Sequence, residues 1–369
     1  MKELRKFIYG DPVLFVAFVV AIISALFVHP SKKYLEYLDL RVLSLLFSMM
    51  MVVAGFQKAG IFECIITRLL KIVHNTRVLV FILVGICFFS SMLITNDVAL
   101  ITFVPLSIMM LTQTEKRKLM IPVIVLQTIA ANLGSMLTPL GNPQNLYLYS
   151  ISNMTMGQFL KTMAMPSAIS LLLLFAVIFF VKPEAIELSG EGFQGGKSEV
   201  EKPVLWCLLF FICLLAVLRM IPYGIALIFV LSGVLIFAGD IFLRVDYGLL
   251  LTFILLFIFI GNIRNIPAVS NILYELVGGR ELMVSILLSQ IISNVPATML
   301  LSKFTANYSG LLVGVNLGGL GTLIASMASV ISYKAYASTR GAQTCKYLCV
   351  FTAINLLFLG VLWLVVAVV

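Results

Sequence analysis

Apolar runs separated by short polar breaks cover most of the chain, at about 12–28, 40–57, 77–93, 97–112, 119–137, 164–181, 204–219, 222–239, 246–262, 281–303, 306–331 and 347–368. A helix crosses a bilayer with about 20 predominantly apolar residues, so most of these runs predict spanning helices. Two places depart from that pattern. Runs 77–93 and 97–112 meet at the polar knot Thr95-Asn96-Asp97, and run 281–303 is interrupted by Ser293-Asn294-Val295-Pro296. Neither break leaves enough chain to join two full spans, so each predicts a re-entrant hairpin. Segments 59–76 and 263–279 are amphipathic and predict helices along the membrane surface. The outcome is an all-α polytopic membrane protein of about nine transmembrane helices and two hairpins.

Composition agrees. The 369 residues are 61% hydrophobic and 11% charged, against about 25% charged in soluble domains. Long apolar runs, rather than alternating ten-residue segments, argue against a β-barrel. The net charge of +9 lies in short segments between runs, which is a membrane-orientation pattern and no sign of nucleic-acid binding. With a cytoplasmic N-terminus, Lys32, Lys33, Arg41, Lys161, Arg219, Arg264, Arg280 and Lys303 fall outside and the other 17 of the 25 basic residues inside, as the positive-inside rule requires. That assignment expects a multi-pass protein of the inner membrane. It puts the first hairpin on the cytoplasmic side and the second on the external side. The first run lacks a small-residue cleavage site, so it is expected to be a span and not a signal peptide. The six cysteines show no metal-ligand spacing, no nucleotide-binding loop is present, and no cofactor is expected.

The two halves resemble each other. Asn132-Leu133-Gly134-Ser135-Met136-Leu137-Thr138 recurs as Asn316-Leu317-Gly318-Gly319-Leu320-Gly321-Thr322, and Ile94-Thr95-Asn96-Asp97-Val98-Ala99 is echoed by Ile292-Ser293-Asn294-Val295-Pro296-Ala297. Gly55 and Lys58 correspond to Gly261 and Arg264. The charge pattern sets the copies in opposite orientation, the plan of many secondary transporters. Residues 1–181 form a first inverted repeat, with a hairpin at about 77–112 and a broken helix at about 119–146. Residues 182–203, rich in glutamate and glycine, read as a soluble linker. Residues 204–369 hold a connecting helix and the second repeat, with a hairpin at about 281–303 and a broken helix at about 306–331.

Polar groups at membrane depth carry the chemistry. Buried asparagines are unfavourable unless paired, and Thr95, Asn96, Ser293 and Asn294 at the hairpin tips can cap helix ends or offer oxygens to a cation. Thr138-Pro139-Leu140-Gly141-Asn142-Pro143-Gln144-Asn145 holds two prolines and a glycine within a few residues and must unwind. Its repeat partner is Gly318 to Thr322, with Ser326 and Ser329 aligned to Asn142 and Asn145. Unwound backbone at this depth lines a cavity or is buried in protein, so knots and breaks point to one enclosed site. The candidate residues are Thr95, Asn96, Asp97, Thr138, Gly141, Asn142, Asn145, Ser293, Asn294, Thr298, Gly318, Gly321 and Thr322. Asp97 is the acidic residue that falls inside an apolar run, and intramembrane carboxylates are functional candidates by default. It is expected to carry the coupling ion, a proton or sodium, with Asn96, Asn142 and Asn294 as sodium ligands; capping is its structural alternative. Lys58 and Arg264 read as interface anchors that snorkel, or as complements to an anion.

At these motifs the chain resembles the ion transporter superfamily, in the citrate-transporter-like domain shared by arsenite permeases, NhaD-type sodium/proton antiporters and divalent anion:sodium symporters. The likeness rests on Thr95 to Leu100 with Pro105, on Thr138 to Asn145, and on Ser293 to Pro296. The resemblance implies a homodimer, a fixed scaffold and a moving transport domain (an elevator), and a site between hairpin tips and unwound segments. Dicarboxylate symporters of this superfamily carry Ser-Asn-Thr in both hairpins. Here Thr-Asn-Asp and Ser-Asn-Val replace it, which is nearer the arsenite-permease-like branch. The implied function is secondary transport of a small anion or oxyacid (arsenite, an inorganic oxyanion or a carboxylate) coupled to protons or sodium. A sodium/proton antiporter using Asp97 is the alternative; a channel and a membrane enzyme fit less well.

Overall fold

Helix boundaries follow the capping chemistry written in the loops. The computed structural model describes residues 12–70, 72–186 and 203–368, so the basic N-terminal segment, Lys71 and most of the linker lie outside the described residues. Helix α1 (Pro12–Phe27) is followed by the short α2 (Lys33–Tyr37) and by α3 (Leu40–Ala59). Asp39 accepts from the Val42 N–H to begin α3, and Gly60, at φ 77°, ends it. Next come α4 (Ile61–Leu70), α5 (Thr76–Ser90) and α6 (Asn96–Gln113). Asn75 caps α5 through Val78 N. Helices α7 (Met120–Ser135), α8 (Pro143–Ile151) and α9 (Met156–Phe179) complete the first half, with Thr155 and Gln158 closing a capping box on α9.

The second half repeats this order. It begins with α10 (Pro203–Val217) and α11 (Tyr223–Phe237), then α12 (Tyr247–Arg264), α13 (Pro267–Val277), α14 (Glu281–Ile292) and α15 (Asn294–Leu301). It closes with α16 (Tyr308–Leu317), α17 (Met327–Ala337) and α18 (Thr344–Val368). Asp246 caps α12 and Asn307 caps α16. Among the described residues there is no strand, only an isolated bridge between Asn75 and Ala185.

Among the described residues, counting α7–α8 and α16–α17 as one interrupted span each gives nine spans, and α5–α6 and α14–α15 are two helical hairpins. Both α4 and α13 are strongly amphipathic. The helices after the breaks reach Ile151 and Ala337, past the apolar runs, because polar side chains such as Asn145, Ser329 and Ser332 face protein and are buried.

Each hairpin is fastened to the broken helix that follows it. Gln127 of α7 donates to the Leu83 carbonyl at 3.0 Å and to Ser107 Oγ at 2.8 Å, joining both arms of the first hairpin. In the second half, small residues allow the close approach: Ser285 and Ser289 of α14 face Gly314 and Gly318 of α16 and its end, a packing mode common between membrane helices. The repeat glycines Gly55 and Gly261 each lie under an aromatic ring, of Trp206 and Tyr37 respectively. The halves interlock where α6 packs on α17 and α8 on α15, while α1, α3, α10, α11 and α12 pack among themselves as a flanking bundle.

One carboxylate departs from the sequence reading. Glu281 is only 6% exposed, more buried than the half-buried Asp97. It sits at the base of the second hairpin, where it accepts from Thr305 Oγ1 at 2.8 Å and so ties the two ends of that hairpin together. Its position at the edge of an apolar run concealed its burial.

Candidate functional site

Four helices begin at one place. The chain leaves each hairpin tip and each break by starting a new helix, and the starts of α6, α8, α15 and α17 converge on a central cavity of about 20 Å³. Its lining is first-turn residues: Asn96 and Asp97, Asn142 with Pro143 and Gln144, Ser293 with Asn294 and Val295, and Ser326 with Met327. Val13 of α1 and Leu249 and Thr252 of α12 close the remaining side. The two break-exit residues adopt the same backbone, Asn142 at φ −147°, ψ 143° and Ser326 at φ −143°, ψ 136°.

Capping chemistry separates this place from the loops. Asp39, Asn75, Thr155, Asp246 and Asn307 each accept a hydrogen bond from the first turn they begin. At the cavity, Thr95, Asn142, Ser293 and Ser326 are all residues of capping type, yet none caps its helix. This corrects the expectation for Thr95 and Ser293; of the other two tip residues expected to cap, Asn96 accepts from the Asp97 N–H through Oδ1 at 2.9 Å. Each helix N-terminus carries about half a positive charge, so four of them meet here, with the Asn142 and Ser326 side chains turned to other work.

That work is a hydrogen-bond lattice across the halves. Asn96 Nδ2 donates to Asn132 Oδ1 at 2.8 Å, and Ser326 Oγ donates to the same oxygen at 3.0 Å. Asn316 Nδ2 donates to Asn145 Oδ1 at 2.7 Å. Asn142 Nδ2 reaches Ser135 Oγ at 2.6 Å. The asparagines of the two Asn-Leu-Gly repeats are thus the struts that hold first-half and second-half elements together.

The remaining candidates shape the breaks without lining the cavity. Thr138 donates to the Met92 carbonyl and accepts from Gly141 N, and Asn96 N donates to the Gly141 carbonyl at 3.1 Å. Asn145 is fully buried, with Nδ2 directed at the Ser135 and Thr138 carbonyls. Thr298 spends its hydroxyl on the Asn294 carbonyl of its own helix at 2.6 Å. Gln290 anchors the second break: its Nε2 donates to the Gly318 and Leu320 carbonyls and its Oε1 accepts from Thr322 N, each at 2.9 Å. Gly321, at φ 109°, leaves room for that amide, and a Cβ there would stand 2.3 Å from Gln290 Oε1.

Two site residues lay beyond the sequence reading. Gln290 sits inside an apolar run, where a single polar residue carries no motif. Gln144 stood within the Pro-Gly-rich break but was not distinguished from its neighbours; it lines the cavity and is 1% exposed.

A second, larger cavity of about 330 Å³ adjoins the first and shares Asp97, Asn142, Pro143, Leu249 and Met327 with it. It runs between the flanking bundle (Leu46, Met49 and Val53 of α3) and the hairpin side (Thr95, Val98 and Ile101), and carries Arg244 and Asp246 in its lining. Asp97 faces both cavities. Lys58 lines neither; it pairs with Asp240 and holds that carboxyl below the usual carboxylate range. Arg264, at the end of α12, also lies away from both linings.

The chain is similar to a family of transporters and to several membrane proteins. The family model described as citrate transporter matches residues 11–328. An uncharacterized transporter of Methanocaldococcus jannaschii is 35% identical over 72% of this chain and 73% of its own length. Inner membrane protein YbiR of Escherichia coli is 31% identical over 82% of each chain. A 46 kDa membrane protein of Mycobacterium leprae is 26% identical over 80% of this chain and 78% of its own.

Proposed function

The chain belongs to the citrate transporter family, and from that premise we propose that it is a secondary active transporter that binds a small anion or oxyacid in the central cavity and couples its movement to a proton or sodium gradient. The observation that carries this reading is the convergence of four helix N-termini whose capping-type residues do not cap. Uncapped N-termini favour an anion through their amide groups and their dipoles. A solute can take the place of the missing caps at first-turn amides other than those of Asn96 and Asp97, which donate to the Gly141 carbonyl and to Asn96 Oδ1.

Asp97 is the coupling residue in this proposal. It is the carboxylate in the lining of the central cavity, and it also lines the larger one. There it can hold a proton, or share sodium with the carbonyl oxygens of Asn96, Asn142 and Asn294, which line the same cavity; hard cations take oxygen ligands of this kind. A charge that neutralises Asp97 removes its repulsion of an incoming anion, and this is the physical basis of coupling. The larger cavity is the access route, from the face that carries Arg244. Alternation follows if the hairpin side slides as a body along the flanking bundle, in a homodimer held by that bundle.

The test is uptake of arsenite, phosphate, sulfate or citrate into proteoliposomes under an imposed pH or sodium gradient. At least one of these solutes accumulates with wild-type protein, and Asp97→Asn abolishes the gradient dependence while leaving the thermal unfolding temperature close to wild type. Wild-type coupling in Asp97→Asn rejects the carrier role. Sodium/proton exchange with no anion flux favours the antiporter reading, which the presence of Asp97 in both cavities also supports.

A further inference from the structure

Gln144 occupies the second position of α8, directly after the proline that starts the helix. Its side chain is 1% exposed and lines the central cavity, and neither Oε1 nor Nε2 has a partner among the described residues. Native proteins rarely leave both ends of a buried amide unmet, and each such group requires an explanation. The neighbouring asparagines have one: Asn145 is engaged by the Ser135 and Thr138 carbonyls and by Asn316, Asn142 by Ser135, and Asn96 by Asn132. Gln144 therefore stands outside the lattice that holds the halves together.

A primary amide presents a donor edge and an acceptor edge side by side. Asp97, an acceptor when ionised, lines the same small cavity. We infer that Gln144 is the specificity-determining residue of this cavity, and that it selects a small oxyacid still bearing at least one hydroxyl hydrogen, gripped through adjacent O–H and O atoms. The inference rests on the cavity being the substrate site, as proposed above. A fully deprotonated oxyanion such as sulfate offers only acceptors; it meets Nε2, leaves Oε1 unmet and confronts Asp97. Hydrogenphosphate or undissociated arsenous acid meets both edges of the amide and gives Asp97 a donor. Sites built on buried hydrogen-bonding groups reject analogues that lack the complementary group far more strongly than apolar pockets reject a misfit. The cavity of about 20 Å³ holds the gripped atoms, and the adjoining cavity of about 330 Å³ takes the remainder of the solute.

The experiment is calorimetric binding of inorganic phosphate, sodium arsenite and sodium sulfate to the purified full chain at neutral pH. Phosphate or arsenite binds the wild type at least about 10-fold more tightly than sulfate. Gln144→Leu weakens that binding by about 10- to 100-fold, the loss of two hydrogen bonds. Its thermal unfolding temperature does not fall, because leucine keeps the volume and removes two unmet polar atoms. Gln144→Glu, which keeps an acceptor and loses the donor, also binds weakly.

Equal affinity for sulfate, wild-type binding by Gln144→Leu, or no binding of either hydroxyl-bearing probe to wild type overturns the inference. So does a drop of several degrees in the stability of Gln144→Leu, which would assign the amide to the fold. Failure of the transport reading looks different: binding with the stated selectivity but no gradient-driven uptake. Uptake confined to sulfate rejects the inference and keeps the transport reading.

Discussion

Asn132→Ala removes an acceptor shared by elements of opposite halves. Asn132 Oδ1 receives Asn96 Nδ2 at 2.8 Å and Ser326 Oγ at 3.0 Å, and both donors belong to residues only 2% exposed. Hydrogen bonds between membrane helices average about 0.6 kcal/mol each, which sets a floor of about 1 kcal/mol for losing two. If neither donor finds a substitute, each buried unmet group costs about 1–3 kcal/mol, which sets a ceiling of about 6 kcal/mol. The cavity beside Ser326 can admit water to one donor, so the loss falls between, at about 3 kcal/mol. At about 2 °C per kcal/mol for a chain of this size, the unfolding temperature drops by about 6 °C. Intrinsic fluorescence of the two tryptophans, Trp206 and Trp363, reports it in detergent. Asn132→Asp keeps the acceptor and recovers at least half of the drop. An alanine variant within about 1 °C of wild type refutes the idea that this side chain joins the halves.

Three further outcomes follow from the same geometry. Arg219, in the loop between α10 and α11, donates to the Tyr149 and Ser152 carbonyls at 2.5 and 2.7 Å and lies over the Tyr149 ring; Arg219→Ala unlatches the end of α8 and lowers the unfolding temperature by several degrees, whereas an unchanged temperature denies the latch. Ser293 holds φ 73°, ψ 156°, a region nearly reserved for glycine; Ser293→Gly relieves about 1 kcal/mol or more of strain and raises thermal stability, and a fall would mean that its 3.4 Å contact to the Ala325 carbonyl outweighs the strain. Lys58→Met leaves the apparent substrate affinity in uptake assays within about twofold of wild type, since Lys58 serves Asp240 rather than the cavity; a loss of tenfold or more would restore it as a substrate contact.

The span count and the interruptions were legible because prolines, glycines and polar knots punctuate otherwise continuous apolar runs. Asn96, Asp97, Asn142, Ser293 and Asn294 were legible as well, since polar side chains have few other reasons to sit at membrane depth. What a polar residue bonds to was not. Asn132 and Asn316 stood out as a repeated motif, but a repeat does not say that each reaches into the other half. Gln290 looks like an isolated polar residue in a helix until Gly318, Leu320 and Thr322 are folded back over it. Thr95 and Ser293 have capping composition, and only the folded backbone reveals that neither side chain caps its own helix. Glu281 is polar at a run's edge, where exposure is the usual outcome, and the Thr305 contact that buries it depends on hairpin closure.

Single cysteines test the central claim most directly. In a chain with its six native cysteines replaced, Ser326→Cys and Asn294→Cys are reacted with a small charged methanethiosulfonate reagent, with and without the solute that the uptake assay identifies. The account predicts labelling of both positions from the face that carries Arg244, and protection of both at the same solute concentration. Labelling that the solute does not slow, or protection of one position without the other, would contradict a single site enclosed by the two halves.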